Sequence, residues 1–372
     1  MTRDKERNSN IELLRIIAMI MILGYHFIAH GVINITSEDK YVIWSNGSLI
    51  NSIASSLFTP GGGIGVGVFF IISGFFNSNK THINIKRTAS ETVFYSVILT
   101  LAYICLKLSH ISFSSLSISE SLLICFKSLL IPITSGEYWF VLVYLIITIL
   151  APLINPYLQR VSSKGFLIIV IAWWVFWYSA ASLGAIFFPL ERGLFFYVLG
   201  AYLKRITSKQ SSSKGNKYLI ALVIIWTMGV ALNYYLGMIS VGEFSLKNQL
   251  LWKLIQLIIT SVIDPLGAVF LFLAFATRSF KANKCINTVG KCTFGVYLLH
   301  DSPLFRDSIW HYLLRTDSLL YFSKLFPVYS LLLILLLYAV LTTIDYLRLR
   351  FLEDKIIIFS DKIISRMKKI LL

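Results

Sequence analysis

The first apolar stretch of the chain, residues 10–31, contains four ionisable side chains whose types and spacing could support catalysis. They are Glu12, Arg15, His26 and His30. An ionisable group at the depth of a bilayer is costly unless it faces protein or water, so each is a candidate for function. Histidine can remove a proton from a hydroxyl near neutral pH, and arginine binds phosphates or carboxylates through its forked donors. The stretch therefore predicts a site for an anionic donor and an alcohol.

On a helix these four side chains fall into two pairs. Arg15 follows Glu12 by three residues, so the two can form an ion pair, and His30 follows His26 by four, on the same face. The rise from Arg15 to His26 is about 16 Å, which places the cation near one membrane surface and the imidazole near the middle. An interfacial arginine beside a packing histidine is the simpler alternative. We favour a functional role because all four groups share one span.

Two later segments add candidate substrate-binding residues. Ser73 lies in a glycine-rich stretch, 60–75, whose small residues favour close helix packing and which lacks the strand–helix context of a nucleotide loop. Ser73 either lines the donor side of the site or serves packing alone. Trp139 begins another apolar segment, where an aromatic ring is typical of the membrane interface. Glu137 is an acid at the mouth of the bundle and could orient an acceptor hydroxyl or a histidine.

A later apolar segment contains Tyr297 and His300, which are three residues apart and share a helix face. We interpret both as walls of the site. Asp301 points about 100° away from His300 on a helix and need not contact it. Asp264 precedes Pro265 in another span, and we expect it to cap a helix break at the proline, which is a structural role.

Composition shows which elements must position these residues. The 372-residue chain is 56% hydrophobic and only 14% charged, with a mean hydropathy of +0.74. These values predict an all-α, polytopic membrane protein with about ten transmembrane helices. The predicted spans are 11–33, 63–78, 89–108, 138–157, 165–184, 190–204, 217–238, 250–276, 292–306 and 328–348.

Charge distribution predicts the orientation. The net charge is +16, but the basic residues lie in short connections between spans, which favours anionic lipid over nucleic acid as their partner. Most Lys and Arg side chains fall on the side that holds the N-terminus, so we expect both termini in the cytosol. We interpret 1–350 as a single membrane domain and 351–372 as a basic amphipathic cytosolic tail.

Three features are left outside this scheme. The segment 119–134 is apolar but short and contains Pro132, so it is a re-entrant helix, an interfacial helix or an eleventh span, and we keep it out of the count. The four cysteines have neither zinc-type spacing nor suitable partners, so we expect no metal and no disulfide framework. His82, His110 and His311 are isolated near span ends or in connections, and we assign them no role.

The motifs resemble those of the acyltransferase 3 family, integral-membrane enzymes that O-acetylate bacterial surface glycans. The resemblance rests on Arg15 and His26 with ten residues between them, inside ELLRxxAMxxxxxxH. It is supported by GVxVFFxISGF at 65–75, EYWFxxxYLxxxxLAP at 137–152 and TFGVYLLH at 293–300. These landmarks follow the family order over nearly the whole chain.

The resemblance implies about ten spans, a cytosolic acyl donor that is usually acetyl-CoA, and an acceptor sugar hydroxyl presented at the outer face. It makes Arg15 and His26 the essential pair, with Glu12 where many members have Asp. Ser73, Trp139, Tyr297 and His300 are motif positions whose roles are less settled. His26 would be the base or a transient acyl carrier. The expected protein is a bacterial cytoplasmic-membrane O-acyltransferase that acts on a cell-surface or lipid-linked glycan.

A transporter or flippase for a lipid-linked sugar is the main alternative function. Ten spans with intramembrane histidine and aspartate would fit it too. It predicts movement of an unmodified substrate and no need for a coenzyme A donor. A sensor or structural membrane protein fits less well, because the Arg15/His26 pattern would then have no purpose.

Overall fold

The computed structural model describes residues 7–33, 42–45, 47–81, 83–109, 116–133, 138–182, 188–207, 215–241, 245–278, 281–314 and 323–371, with backbone alone at 42, 45, 177–182, 188, 367, 368, 370 and 371. Within these residues all regular structure is helical. The helices are α1 Ser9–His26, α2 Val42–Ser45, α3 Leu49–Phe58, α4 Gly61–Asn77, α5 Lys86–Leu108, α6 Ile118–Leu130, α7 Trp139–Arg160, α8 Ser163–Ser182, α9 Phe188–Thr207, α10 Gly215–Ile239, α11 Leu246–Ile258, α12 Asp264–Ala276, α13 Lys284–Lys291, α14 Thr293–His300, α15 Phe326–Phe351 and α16 Glu353–Leu371. Three wider π-helical turns are Phe27–Val32, Ile259–Ile263 and Ser308–Leu313.

Seven helical segments in the described chain are long and apolar enough to cross a membrane. They are Ser9–Val32, Leu49–Asn77, Lys86–Leu108, Trp139–Arg160, Gly215–Ile239, Leu246–Ala276 and Phe326–Phe351. Each overlaps one of the predicted spans, and the chain is an all-helical integral membrane protein. The predicted total of ten and the orientation of the termini are not confirmed.

The three remaining predicted spans differ from continuous membrane helices. In α8 the apolar part with described side chains is Ser163–Phe176, which is short for a span. Charged residues near both ends of α9 shorten its apolar run, although its centre is buried. The predicted span 292–306 is interrupted, because α14 ends at His300 and Pro303 soon follows, where it cannot continue a helix.

Helix α1 packs against α4, α12, α13, α14 and α15. The Asn8 side chain begins it by accepting a hydrogen bond from Asn10 N at 3.0 Å. Glycines allow α4 to approach closely: a Cβ on Gly65 would lie 2.7 Å from Cγ1 of Ile22 and 2.8 Å from the carbonyl of Ala18. The predicted packing role of the glycine-rich stretch is confirmed at this contact.

The expected helix break at Pro265 does not occur. The π-helical turn Ile259–Ile263 leads directly into α12, with the proline in its first turn. Proline has no N–H for the carbonyl four residues earlier, and here Trp174 Nε1 donates to that carbonyl, Ser261 O, at 2.6 Å. Asp264 is therefore not needed as a cap, and its carboxylate pairs with Arg192 instead.

A buried ionic cluster holds the last helices together. Arg348 of α15 pairs with Glu91 of α5 at 2.8 Å, with Asp345 at 2.6 Å and with Glu353, the first residue of α16. Tyr95 also donates to Asp345 at 2.6 Å. The cluster satisfies the charges that burial would otherwise penalise, and it fixes α16 beside α5.

Candidate active site at the junction of two cavities

His26 ends α1, at the point where the chain widens into the first π-helical turn. Its side chain is 15% exposed, and its Nδ1 lies 2.9 Å from Nε2 of His300. His300 is fully buried, and its own Nδ1 lies 2.8 Å from the carbonyl oxygen of Val296. Two imidazoles and one peptide group therefore form a hydrogen-bonded chain.

The carbonyl at the end of this chain decides where the protons lie. A carbonyl only accepts, so Nδ1 of His300 must carry the hydrogen, and its Nε2 is then an acceptor. His26 accordingly donates its Nδ1–H to His300. This tautomer leaves the lone pair of His26 on Nε2, where it can act as a base or a nucleophile.

A carboxylate and an arginine complete the surroundings of His26. Asp301 Oδ1 lies 4.0 Å from Nδ1 of His26, and Arg306 holds that carboxylate with its Nε at 3.0 Å and Nη2 at 2.9 Å. The ring of His30 lies 5.1 Å from that of His26. Asp301 directly follows the last residue of α14 and comes near His26, a contact that its position next to His300 in the sequence did not predict.

The first of two cavities, which we name the basic cavity, has a volume of about 470 Å³. It lies beside the N-terminal end of α1. Its polar wall includes Ser73 and Asn77 of α4, and Tyr297 lies deeper. In the part of the chain that the structure describes, five cationic side chains line it: Arg7, Arg15, Lys80, Arg87 and Lys291.

Acids balance only part of this charge, and Arg87 is paired with Glu353 at 2.8 Å. Glu12 pairs with Arg7 at 3.1 Å and with Arg15 at 3.8 Å, which confirms the predicted Glu12–Arg15 contact. Glu91 also lines the basic cavity, but it is paired with Arg348. Since cations outnumber acids here, the basic cavity suits a ligand with several negative charges.

The second, which we name the polar cavity, has a volume of about 530 Å³ and lies at the other end of α1. The aromatic residues Tyr25, Trp44 and Trp139 line it. The charged side chains among its described lining residues occur as two pairs, Arg306–Asp301 and Arg192–Asp264. Its uncharged hydrogen-bonding side chains include His30, Asn233, Gln256 and Thr260.

The two cavities meet at His26. The residues that line both are Ile22, His26, Val66, Trp139 and Asp301. A family model described as an acyltransferase domain, of the acyltransferase 3 family, matches residues 8–346, nearly the whole chain. The chain belongs to this acyltransferase family. It is a membrane acyltransferase, and the resemblance seen in its motifs is confirmed.

No curated protein and no solved structure matches this acyltransferase. Its site must therefore be interpreted from its own geometry. The family match covers every residue discussed at the junction, from Arg15 on α1 to Arg306 beyond α14.

The acyltransferase distributes its sequence-predicted site residues over both cavities. Arg15, Ser73 and Tyr297 line the basic cavity, His30 lines the polar cavity, and Trp139 lines both. Glu12 lines neither and contacts Arg15 from behind. His300, expected as a wall, lies behind His26 and lines neither cavity. Glu137 falls outside the described residues.

Four residues of the acyltransferase site escaped sequence reasoning. Asp301 and Arg306 meet beside His26, and Arg192 and Asp264 meet across the polar cavity. Asp301 was considered only as a neighbour of His300 and Asp264 only as a helix cap, and neither arginine was assigned a role in the site. The signal that could have raised them is charge itself, because arginine and aspartate in or beside apolar segments require partners.

The cluster of His26, His30 and Asp301 has the spacing of a metal site, with one ligand atom from each within 4.8 Å of the others. Arg306 already occupies the Asp301 carboxylate, and His300 occupies Nδ1 of His26. A metal ion would have to compete with both partners. The expectation that the acyltransferase needs no metal stays a prediction.

Proposed function

We propose that this acyltransferase moves an acyl group, acetyl in the first place, from cytosolic acyl-CoA to a hydroxyl of a cell-surface or lipid-linked glycan. The observation that carries the proposal is the position of His26 on the walls of both cavities. A side chain there can meet a donor from one side and an acceptor from the other. The proposal places the protein in the bacterial cytoplasmic membrane, with the basic cavity on the cytosolic side.

The basic cavity is the proposed donor site. Coenzyme A presents phosphates, and the forked guanidinium of Arg15 suits them, with Lys80 and Lys291 as additional point charges on the same wall. Glu12 holds Arg15 in place from behind. Ser73 and Tyr297 line the route from the phosphates towards His26. Acetyl-CoA is in this sense a co-substrate rather than a resident cofactor.

Two routes of transfer use the same tautomer of His26. As a base, Nε2 accepts the hydroxyl proton while the acceptor oxygen attacks the thioester carbon, and the leaving thiolate then takes that proton. As a relay, Nε2 attacks the thioester itself, the thiolate leaves, and the acceptor oxygen then displaces the imidazole and loses its proton to the thiolate. His300 fixes the ring in both routes.

The developing positive charge on His26 also has a partner. Asp301 lies 4.0 Å from Nδ1, where its carboxylate favours the imidazolium form. Arg306 fixes the position of that carboxylate. Membership of an acyltransferase family favours this chemistry over the transport of an unmodified sugar.

The test uses membrane vesicles that contain native glycan and either wild type, His26→Ala or His311→Ala. Radiolabelled acetyl-CoA is supplied, and both label in glycan and free coenzyme A are measured. We expect transfer by wild type and His311→Ala, because His311 lines neither cavity. We expect none by His26→Ala at equal protein level. Equal transfer by His26→Ala would remove His26 from the reaction, and no donor consumption by wild type would reject the proposal.

A further inference from the structure

A buried ion pair lies in the wall of the polar cavity, contributed by helices other than the one that bears His26. Arg192 of α9 donates from Nη2 to Oδ2 of Asp264, the first residue of α12, at 2.8 Å. The two side chains are only 15% and 5% exposed. Gly63 of α4 makes room for the pair, because a Cβ at this position would overlap the Asp264 carboxylate. Three helices thus form a built polar site.

The pair also sets the charge of the polar cavity. Arg192 is matched by Asp264 and Arg306 by Asp301, so the formal charges of these four residues cancel. Among the lining residues that the structure describes, each arginine is matched by an acid, so a ligand carboxylate brought here would be buried without a free cation, which is costly. An uncharged ligand with many hydroxyls meets no such penalty.

The remaining wall of the polar cavity has the chemistry of saccharide recognition. Trp44 and Trp139 offer apolar ring faces, and Asn233 and Gln256 offer amides that can both donate and accept. Aspartate accepts from a sugar hydroxyl, and arginine donates to the oxygen of a neighbouring one. An ion pair therefore suits two adjacent hydroxyls.

We propose that Arg192 and Asp264 form a hydroxyl-binding subsite, and that the paired charges of the polar cavity select an uncharged saccharide over a uronic acid. This inference rests on the proposed function, since it treats the polar cavity as the acceptor site. It adds the class of acceptor and the residues that discriminate.

The test measures saccharide binding directly, so that it does not depend on acyl transfer. The purified full-length chain is placed in nanodiscs. Saturation-transfer NMR compares methyl β-D-glucoside with methyl β-D-glucuronide, and methyl β-D-galactoside with methyl β-D-galacturonide. Within each pair only the C6 group differs. We expect the neutral member to bind at least about fivefold more strongly.

Two single variants should shift this preference in opposite directions. Asp264→Asn leaves an unpaired cation in the polar cavity and should raise uronide binding relative to the neutral sugar. Arg192→Gln leaves an unpaired anion and should lower uronide binding, relative to the neutral sugar, below that of wild type. The double variant Arg192→Gln/Asp264→Asn cancels the charge again and should regain the neutral preference. If the pair were purely structural, the substitutions would instead weaken the binding of every ligand in the same way.

Glu120→Gln is the matched control, because it removes an exposed carboxylate on α6 that lines neither cavity. Its sugar preference should equal that of wild type, and thermal unfolding of each variant monitors the fold. Three results would overturn the inference. They are uronide binding by wild type that equals or exceeds binding of the neutral sugar, no binding of either pair of sugars, and shifts of the same sign in both single variants. Failure of label transfer with the expected sugar binding would reject the proposed function and leave the subsite standing.

Discussion

The basic and polar cavities are similar in volume, about 470 and 530 Å³, but they differ in charge. Among the described residues, five cations line the basic cavity and are balanced only in part, by Glu12 and Glu353, whereas the two arginines of the polar cavity are each matched by an aspartate. Under the proposed function, charge rather than space would separate the donor from the acceptor. An anionic donor and an uncharged acceptor can then approach one imidazole without exchanging places.

The largest effect is expected at the junction that the cavities share. His300→Phe removes the acceptor for the Nδ1–H of His26, so the tautomer is no longer fixed, and we expect transfer to fall by about 100-fold or more. The Michaelis constants for donor and acceptor should change little, because His300 lines neither cavity. Steady-state kinetics in vesicles checks this. A raised Michaelis constant with unchanged turnover would mean that His300 acts as a wall after all.

The next effect should fall on the basic cavity alone. Arg15→Gln removes a charged donor from the phosphate site, and we expect the Michaelis constant for acetyl-CoA to rise by about tenfold or more. The Michaelis constant for the acceptor should not change. Arg160→Gln is the matched control, since this exposed arginine at the end of α7 lines neither cavity. Equal changes in both constants would contradict a separate donor site.

Salt should produce a smaller difference between ligand binding in the two cavities. Screening weakens attraction between exposed charges, so raising ionic strength from about 0.05 to 0.5 M should raise the acetyl-CoA constant by about threefold. Binding of a neutral methyl glycoside should stay nearly constant over the same range. Parallel donor kinetics and NMR binding measure the two responses. An acetyl-CoA constant that does not change with salt would contradict charge-driven binding of the donor in the basic cavity.

The smallest effect is expected at Ser73. Its hydroxyl accepts from Asn77 Nδ2 at 3.3 Å and lines the basic cavity, so Ser73→Ala should raise the acetyl-CoA constant by only about two- to fivefold. The same kinetic assay applies, with Ser109→Ala as an exposed serine control. No change in Ser73→Ala would assign this position to packing between helices.

The sequence was most informative where chemistry and spacing lie within one helix. Glu12, Arg15, His26 and His30 all belong to α1 and its π-helical turn, and the predicted Glu12–Arg15 contact is present. Hydropathy found seven segments that the structure confirms as possible spans. It could not distinguish a span from a short buried helix, because the residues of α14 are also apolar and buried.

Residues that meet across the bundle were harder to predict. Arg192 and Asp264 are 72 positions apart and pair only because α9 and α12 both pack against α4. The role of His300 also depended on folding, since sequence placed it on a wall whereas the hydrogen bond to His26 places it behind one. Spacing on one helix says nothing about which distant helix supplies the partner.

The partition between the two cavities also has an electrical consequence. Only a few side chains, among them Ile22, Val66 and Trp139, are shared by both walls beside His26. If water fills both cavities, most of the voltage across the membrane falls over this thin layer. One elementary charge crossing 100 mV changes in free energy by about 2.3 kcal/mol. A proton that reaches His26 from one cavity and leaves by the other would cross this layer. The membrane potential would therefore change the free energy of proton transfer through His26.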